Sequence, residues 1–396
     1  MDFTLTDTQH ALLTQTQKTA ETWADRALEI RRHTLEHGQH HPGFWKDYCA
    51  AGTMGFLIPS EHGGSDQGLL ATALSLEAFA ARGLMLTLPV LTNAAARLIT
   101  VAGSEELRAR HLPAIADGSL VIGMGFTEAE AGHNFARMNT HAHGDGDHLV
   151  VNGEKAYISG ADIADRLLLV ARSLTKEQRS ERGLPRLAGF TAMLVDPRAE
   201  GVTLEEQRLG EREGLRQWRI TFNDVRVPAA DIIGAEHEAI IHLFDALNIE
   251  RVLFTAISLG GAAHLFDRAI DYAKTRNVFG DQPIGAYQAI AHPLARIHTQ
   301  LESARLLTYK AAALFDQGAD TVTVGAAANM AKLLAADVAY QAADQTLQTF
   351  GAAGWDENQG LVDHYLDTRM FRSTPVSQEL ALNFIAETAL GLPRSR

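Results

Sequence analysis

The sequence predicts a mostly helical protein with a β domain inserted between two helical regions, and three observations support this. Residues 1–120 carry apolar side chains at helical spacing. Residues 121–233 change to short β-prone runs separated by turn signals. Residues 234–396 return to long segments with helical periodicity. We therefore expect an N-terminal helical domain, a middle β-barrel-like domain and a C-terminal four-helix bundle, with these boundaries.

The N-terminal region is predicted to consist of helices. Thr6 and Asp7 precede a run with helical spacing and are residue types that cap a first turn. The stretch 69–101 is rich in alanine and leucine, which is typical of buried helix. Ser104 precedes two glutamates, a pattern that starts another helix.

The middle region is predicted to be a β domain. Its turn signals include Gly-Asp-Gly-Asp at 144–147, which is typical of a hairpin. No helical pattern alternates with the strand pattern, so a parallel βαβ sheet is not expected. The Gly-Met-Gly sequence at 123–125 lacks the third glycine of a dinucleotide-binding fingerprint and precedes no helix, so we discount it. The predicted strands cover residues 148–151, 166–171, 190–195 and 218–227.

The C-terminal region is predicted to be an antiparallel bundle of four helices. Long segments with helical periodicity are separated there by glycine and proline breaks. The predicted helices cover residues 236–276, 286–316, 321–350 and 376–390.

Composition excludes several classes of protein. The formal net charge of −13 over 396 residues leaves no basic surplus to neutralise phosphates, which argues against a nucleic-acid binder. The single cysteine, Cys49, excludes a disulfide framework and a cysteine-rich metal or iron–sulfur site, and we interpret it as a small buried residue. The first residues lack a signal pattern, and the uncharged stretch 83–96 is shorter than the roughly 20 residues that span a bilayer. We therefore expect a cytoplasmic protein with no membrane partner.

A run of histidines at positions 33, 37, 40 and 41 raises the question of a metal site. His37 and His41 are one helical turn apart, but no His-Glu-x-x-His pattern accompanies them and Gly38 disfavours a regular helix there. We interpret the run as a solvated surface segment and predict no metal.

The most informative single residue is Glu250. A carboxylate on a core-facing stripe of a helix is costly unless it is paired or used, and burial raises its pKa toward the range of a general base. The pattern alone leaves two interpretations open: a catalytic base, or a structural group that is paired with a cation or reaches solvent. The apolar residues that share the stripe, at alternating spacings of three and four, are Leu243, Leu247, Phe254, Ile257 and Gly261.

Two polar loops of the β domain form a second candidate site. They have the sequences Phe-Thr-Glu-Ala-Glu-Ala-Gly at 126–132 and Tyr-Ile-Ser-Gly at 157–160. Backbone and hydroxyl donors beside an aromatic ring can hold a planar cofactor that forms hydrogen bonds. Taken alone, such segments are more often only loops.

These loops and two further segments resemble the acyl-CoA dehydrogenase family. The residues at 126–132 and at 152–159 (Asn-Gly-Glu-Lys-Ala-Tyr-Ile-Ser) are similar to its flavin-binding loops. The residues at 276–280 (Arg-Asn-Val-Phe-Gly) resemble its Arg-x-x-Phe-Gly segment. Those at 348–354 resemble its Gln-x-x-Gly-Gly-x-Gly turn. The motifs occur in family order along the whole chain.

The resemblance implies the fold predicted above, with FAD bound in extended form between the β domain and the bundle. A neighbouring subunit completes the site, usually in a homotetramer (or a dimer). Tyr157 and Ser159 replace the usual Trp and Thr and keep a stacking ring and a hydroxyl donor. The FAD contacts implied within one subunit are Met124, Phe126, Thr127, Tyr157, Ser159, Ser377 and Glu379. Those implied across the subunit boundary are Arg276, Phe279, Gln288, Gln348, Gly351 and Ala352.

The implied reaction is α,β-dehydrogenation of an acyl-CoA thioester to the trans-2-enoyl-CoA, a step of fatty acid metabolism. A carboxylate removes the α-proton while the β-hydride passes to the flavin, and the electrons pass on to an electron-transferring flavoprotein. Hydrogen bonds to the thioester carbonyl stabilise the developing enolate. The implied substrate contacts are His133, Asn248, Arg251, Pro375 and Val376.

The chain departs from the family pattern at the usual catalytic base. Where most members have Tyr-Glu-Gly-Thr, residues 374–377 are Thr-Pro-Val-Ser, so Pro375 replaces the glutamate. Isovaleryl-CoA dehydrogenases also lack that glutamate and take their base from a Glu-Arg pair on the first long bundle helix. Here that pair is Glu250-Arg251. The resemblance and the helical stripe therefore both single out Glu250.

Pro375 has a second consequence, because proline has no N–H. The residue at this position in the family donates its N–H to the thioester carbonyl, and losing one such donor costs on the order of a hundredfold in rate. Three explanations stay open: Val376 donates instead, the ribityl hydroxyl of the flavin acts alone, or the reaction is not the usual one.

The leading hypothesis is an FAD-dependent acyl-CoA dehydrogenase that uses Glu250 and acts on a short or medium acyl group, straight or branched. A flavin-dependent monooxygenase or oxidase on the same fold is an alternative; Glu250 counts against it, and Pro375 leaves it open. A non-catalytic paralogue is a third hypothesis, which the intact flavin loops disfavour.

Overall fold

The N-terminal region consists of six helices in the computed structural model, which describes residues 4–185, 187–210 and 214–394. Thr6 caps the first helix and forms a capping box with Gln9, as its residue type predicts. The stretch 69–101 forms two helices rather than one, because the chain turns at Gly83 with φ +77°, where glycine is favoured. The six helices are α1 (Asp7–Trp23), α2 (Ala27–His37), α3 (Pro42–Ala50), α4 (Gly68–Ala80), α5 (Thr87–Ala102) and α6 (Glu105–Ala116).

One eight-stranded mixed sheet forms the middle region. Its strands are β1 (Ile122–Gly125), β2 (His141–Asp145), β3 (His148–Ser159), β4 (Arg166–Arg172), β5 (Phe190–Val195), β6 (Val202–Gln207), β7 (Gln217–Pro228) and β8 (Ile232–Ile233), with the short helix α7 (Lys176–Glu181) after β4. The order is β6-β7-β3-β2-β4-β5-β8, and β1 pairs with β4 in parallel. Strands β2 and β3 form the hairpin expected at 144–147. Alternating residues of these strands, such as Leu149 and Val151, form an apolar core of their own.

The C-terminal region contains three long helices, α8 (Ala239–Thr275), α9 (Gln288–Asp316) and α10 (Thr321–Phe350), followed by α11 (Leu361–Phe371) and α12 (Gln378–Phe384). A small hairpin of β9 (Asn277–Val278) and β10 (Gln282–Pro283) connects α8 to α9. Helix α8 packs closely on α4, because a Cβ at Gly260 would lie 2.3 Å from the Glu77 carbonyl oxygen. This close approach sets α8 between the N-terminal helices and the rest of the bundle.

The end of the bundle differs from the prediction. The helix expected over 376–390 is present as α12 and a π-helical segment (Ile385–Ala389) that continues it, whereas α11 precedes it without having been predicted. The buried face of α11 carries His364 and Asp367 as well as Leu361 and Phe371. Because polar residues occupy that face, the apolar periodicity that reveals a helix is missing from the sequence.

Within the described residues, one helical segment, Thr321–Trp355, is long and apolar enough to cross a bilayer by length and composition. However, 61% of its most apolar window is buried inside the protein. Burial of this kind is typical of the core helix of a bundle.

Candidate active site

Glu250 lies on α8, in the apolar stripe that the sequence predicts. Phe254 and Ile257 are buried on the same stripe. Within the described part of the chain, the Glu250 carboxylate accepts no hydrogen bond and forms no ion pair. Burial raises the pKa of Glu250 to about 7, and the charge of Arg251 opposes part of this shift. A carboxyl group with this pKa is partly ionised at neutral pH and can both accept and release a proton.

Arg251 is adjacent to Glu250 in sequence but does not pair with it. Its Nη1 donates to Asn248 Oδ1 at 2.8 Å, and Asn248 Nδ2 donates to the Thr321 carbonyl oxygen at 2.9 Å. Burial lowers the pKa of Arg251, and its Nε has no partner among the described residues. The Asn248 contact therefore directs this guanidinium toward the start of α10. A structural ion pair does not explain the burial of Glu250.

Pro375 lies close to the same face of α8. Residues 374–377 connect α11 to α12, and Pro375 lines a small pocket together with Phe254, one helical turn beyond Glu250. The side chain of Val376 is buried, and its backbone N–H has no hydrogen-bond partner in the described residues. This segment therefore contains one N–H that is free to donate, directly after the residue that has none.

His133 connects the β domain to this segment. Its Nε2 accepts a hydrogen bond from the Ser377 N–H at 3.1 Å, across 244 positions of sequence. Partial burial and the charge of Lys332 lower the pKa of His133, which keeps the ring neutral and able to accept. Ser377 in turn caps α12 through the Leu380 N–H. The contact brings the loop after β1 against the loop before α12.

A buried ion pair holds the two candidate cofactor loops together. Lys155 Nζ donates to Glu128 Oε1 at 3.0 Å and to the Phe126 carbonyl oxygen at 3.1 Å. Glu128 also accepts the N–H groups of Asn139 and Thr140, at 2.7 and 2.9 Å. The sequence motifs did not predict this role, although Glu128 and Lys155 lie within residues 126–132 and 152–159. The available signal was an acidic residue in one motif and a basic residue in the other, which can pair if the fold brings the two loops together.

The surface that these loops form suits a planar cofactor. The Tyr157 ring is 50% exposed, and its backbone has φ +60°, at an irregular point of the pairing between β3 and β7. Ser159 Oγ lies 2.9 Å from Gln217 Nε2, which places a hydroxyl at the end of β3. A Cβ at Gly132 would meet no atom within 4 Å, so the loop leaves open space. Met124, Phe126 and Thr127 are half-buried beside these groups.

The remaining predicted cofactor contacts lie elsewhere. Arg276 follows Glu250 by 26 positions, which is about 39 Å along a helix axis. The stack of Tyr272 on Phe350, with ring centroids 4.3 Å apart, joins this end of α8 to the end of α10. One chain therefore does not bring this group to Glu250, whereas Ser377 and Glu379 lie at the start of α12, directly after the Pro375 segment. The group is exposed and comprises Arg276, Phe279, Gln288, Gln348, Gly351 and Ala352.

The histidine run is not the solvated segment that we expected. Helix α2 ends at His37 with Gly38 in the left-handed region. His33 packs edge-on against His37 and His41, while His40 stacks on Trp45 at 4.1 Å and burial lowers its pKa to about 4. Aromatic packing therefore explains the run, and the described residues contain no group of three metal-ligating side chains.

Three segments of the chain match the domains that define one family. Residues 6–119 match "Acyl-CoA dehydrogenase, N-terminal domain", residues 123–225 match its middle domain, and residues 243–390 match its C-terminal domain. The chain belongs to the acyl-CoA dehydrogenase family. It is therefore an oxidoreductase of that class, as the sequence motifs predicted, and FAD is the cofactor of the class.

Individual relatives cover nearly the whole chain. Acyl-CoA dehydrogenase FadE12 of Mycobacterium tuberculosis is 38% identical over 358 residues, which is 90% of each chain. The structure of a glutaryl-coenzyme A dehydrogenase glutaryl-CoA complex superimposes with a TM-score of 0.88 at 26% identity, over 100% of this chain and 98% of that one. The FAD complex of PigA superimposes with a TM-score of 0.87 at 27% identity, over 99% of this chain and 100% of that one. The predicted fold is confirmed.

The residues of this acyl-CoA dehydrogenase fit FAD. The loop surface offers an accessible aromatic ring, a hydroxyl and unfilled space at Gly132. The Lys155–Glu128 pair holds the backbone of these loops in place without using the groups that face outward. A flat ring system that forms hydrogen bonds needs a stacking surface, polar groups and space of this kind.

Proposed function

We propose that this acyl-CoA dehydrogenase acts on a short or medium acyl-CoA, straight or branched, with Glu250 as the catalytic base. The observation that carries the proposal is the Glu250 carboxylate, which is unpaired among the described residues, has a pKa raised to about 7 and lies one turn from the Pro375 pocket. A partner group would make this carboxylate structural. Without one, the carboxylate is available to accept a proton from a substrate.

In the proposed reaction, Glu250 removes the proton from the carbon next to the thioester carbonyl. A pKa near neutral pH suits this step, because enough carboxylate is ionised and the protonated form is stable in the buried site. The pairing of Arg251 with Asn248 supports the role, since a salt bridge to Glu250 would lower the pKa of the base. Bound FAD supplies the acceptor for the hydride that leaves the β-carbon.

The thioester carbonyl requires a hydrogen-bond donor as negative charge develops on its oxygen. Pro375 has no N–H, whereas the N–H of Val376 is free of other partners. We therefore assign this donor to Val376. The contact of His133 with the next N–H, that of Ser377, holds the segment in position.

Several side chains of the β domain are proposed to hold the FAD. Tyr157 presents its ring, Ser159 and Thr127 present hydroxyls, and Met124 and Phe126 line the same surface. Ser377 and Glu379 add polar groups from α12. The exposed group around Arg276, at the far end of α8, is proposed to contact the FAD of a neighbouring subunit. That arrangement requires a homotetramer or a dimer, and the electrons then pass to an electron-transferring flavoprotein.

The test is an anaerobic titration of the purified, FAD-loaded protein with a panel of saturated acyl-CoAs. Bleaching of the visible flavin absorbance by one subset is the expected result and identifies the acyl class. Glu250→Gln should keep the flavin and lose the bleaching. A yellow protein that no acyl-CoA bleaches, and that consumes oxygen after chemical reduction, would overturn the proposal in favour of an oxidase or monooxygenase.

A further inference from the structure

Lys332, on α10, is a buried cation close to the segment that carries the proposed carbonyl donor. The residue is only 3% exposed. Its Nζ donates to the Arg372 carbonyl oxygen at 3.3 Å, and its side chain lines the Pro375 pocket together with Thr374. The Arg372 carbonyl lies at the C-terminal end of α11, where the helix dipole favours a cation. This contact fixes the ammonium group beside residues 372–377.

The charge of Lys332 forms no salt bridge with a carboxylate among the described residues. Asp337 instead lies 3.1 Å from Arg372 and accepts a hydrogen bond from Gln378. Glu379 is exposed on the first turn of α12. Lysine is rarely buried in this way, because an unpaired charge away from water is costly. The ammonium therefore remains available to an anion that forms nearby.

Arg251 adds a second cation from the side of α8. Its Nη1 donates to the uncharged amide of Asn248, and it forms no ion pair among the described residues. Burial, and after it the charge of Arg251, lower the pKa of Lys332 to about 8, so Lys332 is mostly protonated at neutral pH. Because neither cation is paired with a carboxylate, both contribute a positive potential to this region.

A positive potential is relevant here because the neighbouring backbone offers few donors. Pro375 has no N–H. The Ser377 N–H already donates to His133 at 3.1 Å. Of residues 375–377, Val376 alone therefore has an N–H without a partner among the described residues. When the α-proton leaves, negative charge develops on the thioester oxygen, and this segment supplies a single backbone hydrogen bond to it.

We infer that the charge of Lys332 stabilises the enolate oxygen of the reacting thioester and so compensates for the N–H that Pro375 lacks. This inference rests on the proposed dehydrogenase function. Lys332 is a positioning residue, which acts at a distance through its charge and forms no bond to the substrate. Glu250 takes the α-proton, and the electron pair left on the α-carbon spreads onto the thioester oxygen, where the cation lowers its energy.

The expected size of the effect follows from the strength of a single charge. A unit charge roughly 8 Å from a developing oxyanion changes a rate by about thirtyfold when the effective dielectric constant is about 20. Loss of one oxyanion donor costs on the order of a hundredfold. A nearby cation can therefore replace much of the effect of a lost donor without contacting the substrate.

The first experiment compares three variants of Lys332 in the FAD-loaded protein, with the acyl-CoA that bleaches the flavin best. Lys332→Met removes the charge, Lys332→Gln removes it but keeps an N–H for the Arg372 carbonyl, and Lys332→Arg keeps the charge. We expect kcat to fall by about ten- to thirtyfold in the first two and to change little in the third. The dissociation constant of the saturated ester should stay the same, because its carbonyl is neutral.

The pH profile separates this effect from that of the base. Activity should rise through about pH 7 as Glu250 ionises, and in the parent protein it should fall above about pH 8 as Lys332 loses its proton. Lys332→Met should lack the alkaline fall and keep the acidic limb, because burial and Arg251 set the pKa of Glu250. The charged and titratable groups around Lys332 are Arg251 on α8, Asp337 on α10, Arg372 after α11, Glu379 on α12 and His133 of the β domain.

A second readout measures the enolate itself. The α-proton of 3-oxobutanoyl-CoA is acidic, so this ligand can bind as an enolate without being oxidised. The ratio of enolate to ketone in the bound ligand is read from its near-ultraviolet absorbance. Lys332→Met should lower this ratio by about ten- to thirtyfold, the same factor as for kcat. A merely structural role of Lys332 would not change both quantities by the same factor.

Controls separate the effect of charge from misfolding. Lys310→Met removes an exposed lysine of α9 and should change neither kcat nor the enolate ratio. Flavin absorbance and the thermal unfolding midpoint of each variant report FAD occupancy and folding. The alkaline fall in activity is measured on the parent protein, so the proposal stays testable if Lys332→Met and Lys332→Gln do not fold.

Each outcome decides a different point. A folded Lys332→Met protein with the kcat and enolate ratio of the parent overturns the role of Lys332 and leaves the dehydrogenase proposal standing. A lower reduction potential of the flavin in ligand-free Lys332→Met, with the enolate ratio unchanged, assigns the charge to the cofactor and also overturns it. If no acyl-CoA bleaches the flavin, the dehydrogenase proposal fails, and the enolate ratio of bound 3-oxobutanoyl-CoA still tests Lys332.

Discussion

Replacing Glu250 by glutamine is expected to stop turnover and to stabilise the protein at alkaline pH. Glutamine has nearly the same shape and no charge, so it fills the buried stripe of α8 without the cost of ionisation. A general base contributes typically 10²- to 10⁴-fold to rate, and we expect turnover to fall by about this factor. Flavin binding should be unchanged, because Glu250 is not among the side chains that hold the loops of the β domain.

The magnitude of the stability effect follows from the raised pKa. The pKa of Glu250 is about 7 in the folded protein against 4.5 ordinarily, so folding favours the protonated form. The contribution of protonated Glu250 to the free energy of unfolding is fully present below about pH 4.5 and is lost as pH rises through 7. The difference between the two pKa values corresponds to a loss of at most about 3 kcal/mol in the free energy of unfolding at alkaline pH. Because the side chain is partly accessible to solvent, about 2 kcal/mol is a better expectation at pH 8.

Two measurements test this reasoning together. Denaturant unfolding at pH 8 should show Glu250→Gln more stable than the parent protein, and the difference should vanish near pH 4.5. In the parent protein, kcat/KM should rise with pH through about 7, as the base ionises. Glu36→Gln is the matched control, because Glu36 is exposed on α2. Turnover close to that of the parent protein, or equal stability at pH 8, would refute the assignment of Glu250.

Three further predictions concern other parts of the molecule. Lys155→Met should lower the free energy of unfolding by about 3–5 kcal/mol and reduce flavin occupancy, because it removes the counter-charge of the buried Glu128 carboxylate; denaturant unfolding and flavin absorbance measure both. Asp367→Asn should lower the free energy of unfolding by a similar amount with kcat unchanged, since Arg31 donates to both Asp367 oxygens at 2.7 and 3.0 Å between α2 and α11. Val376→Pro should lower kcat by about 10²- to 10³-fold, measured by flavin bleaching, because it removes the free N–H.

Each of these predictions has a control and a contrary outcome. Glu128→Gln leaves the buried Lys155 ammonium without its counter-charge and should destabilise by a similar amount, whereas the double variant Lys155→Met/Glu128→Gln should recover part of the loss; no recovery would contradict a charge effect. A large fall in kcat for Asp367→Asn would show that the α2–α11 contact shapes the site. Pro375→Ala should change kcat little if Val376 is the donor, and a large gain would assign that role to position 375 instead.

The position of the proposed base was predictable because helical periodicity is local. Spacings of three and four place Glu250 among buried residues on any regular helix, whatever packs against it. The replacement at Pro375 and the loop motifs of the β domain are equally local, and they pointed to the same family. For the same reason, the limits of α8, α9 and α10 agree with the prediction to within a few residues.

The sequence alone therefore determined the three-region fold, the cofactor class and the residue proposed as base. Only the tertiary structure revealed that Glu250 has no partner within the described residues, that His133 meets Ser377 and that Lys332 is buried beside Pro375. The physical reason is that periodicity reports which face of an element is buried, whereas a partner is supplied by another element, often hundreds of residues away. A buried charge such as Lys332 resembles a surface charge in the sequence until packing shows what lies around it.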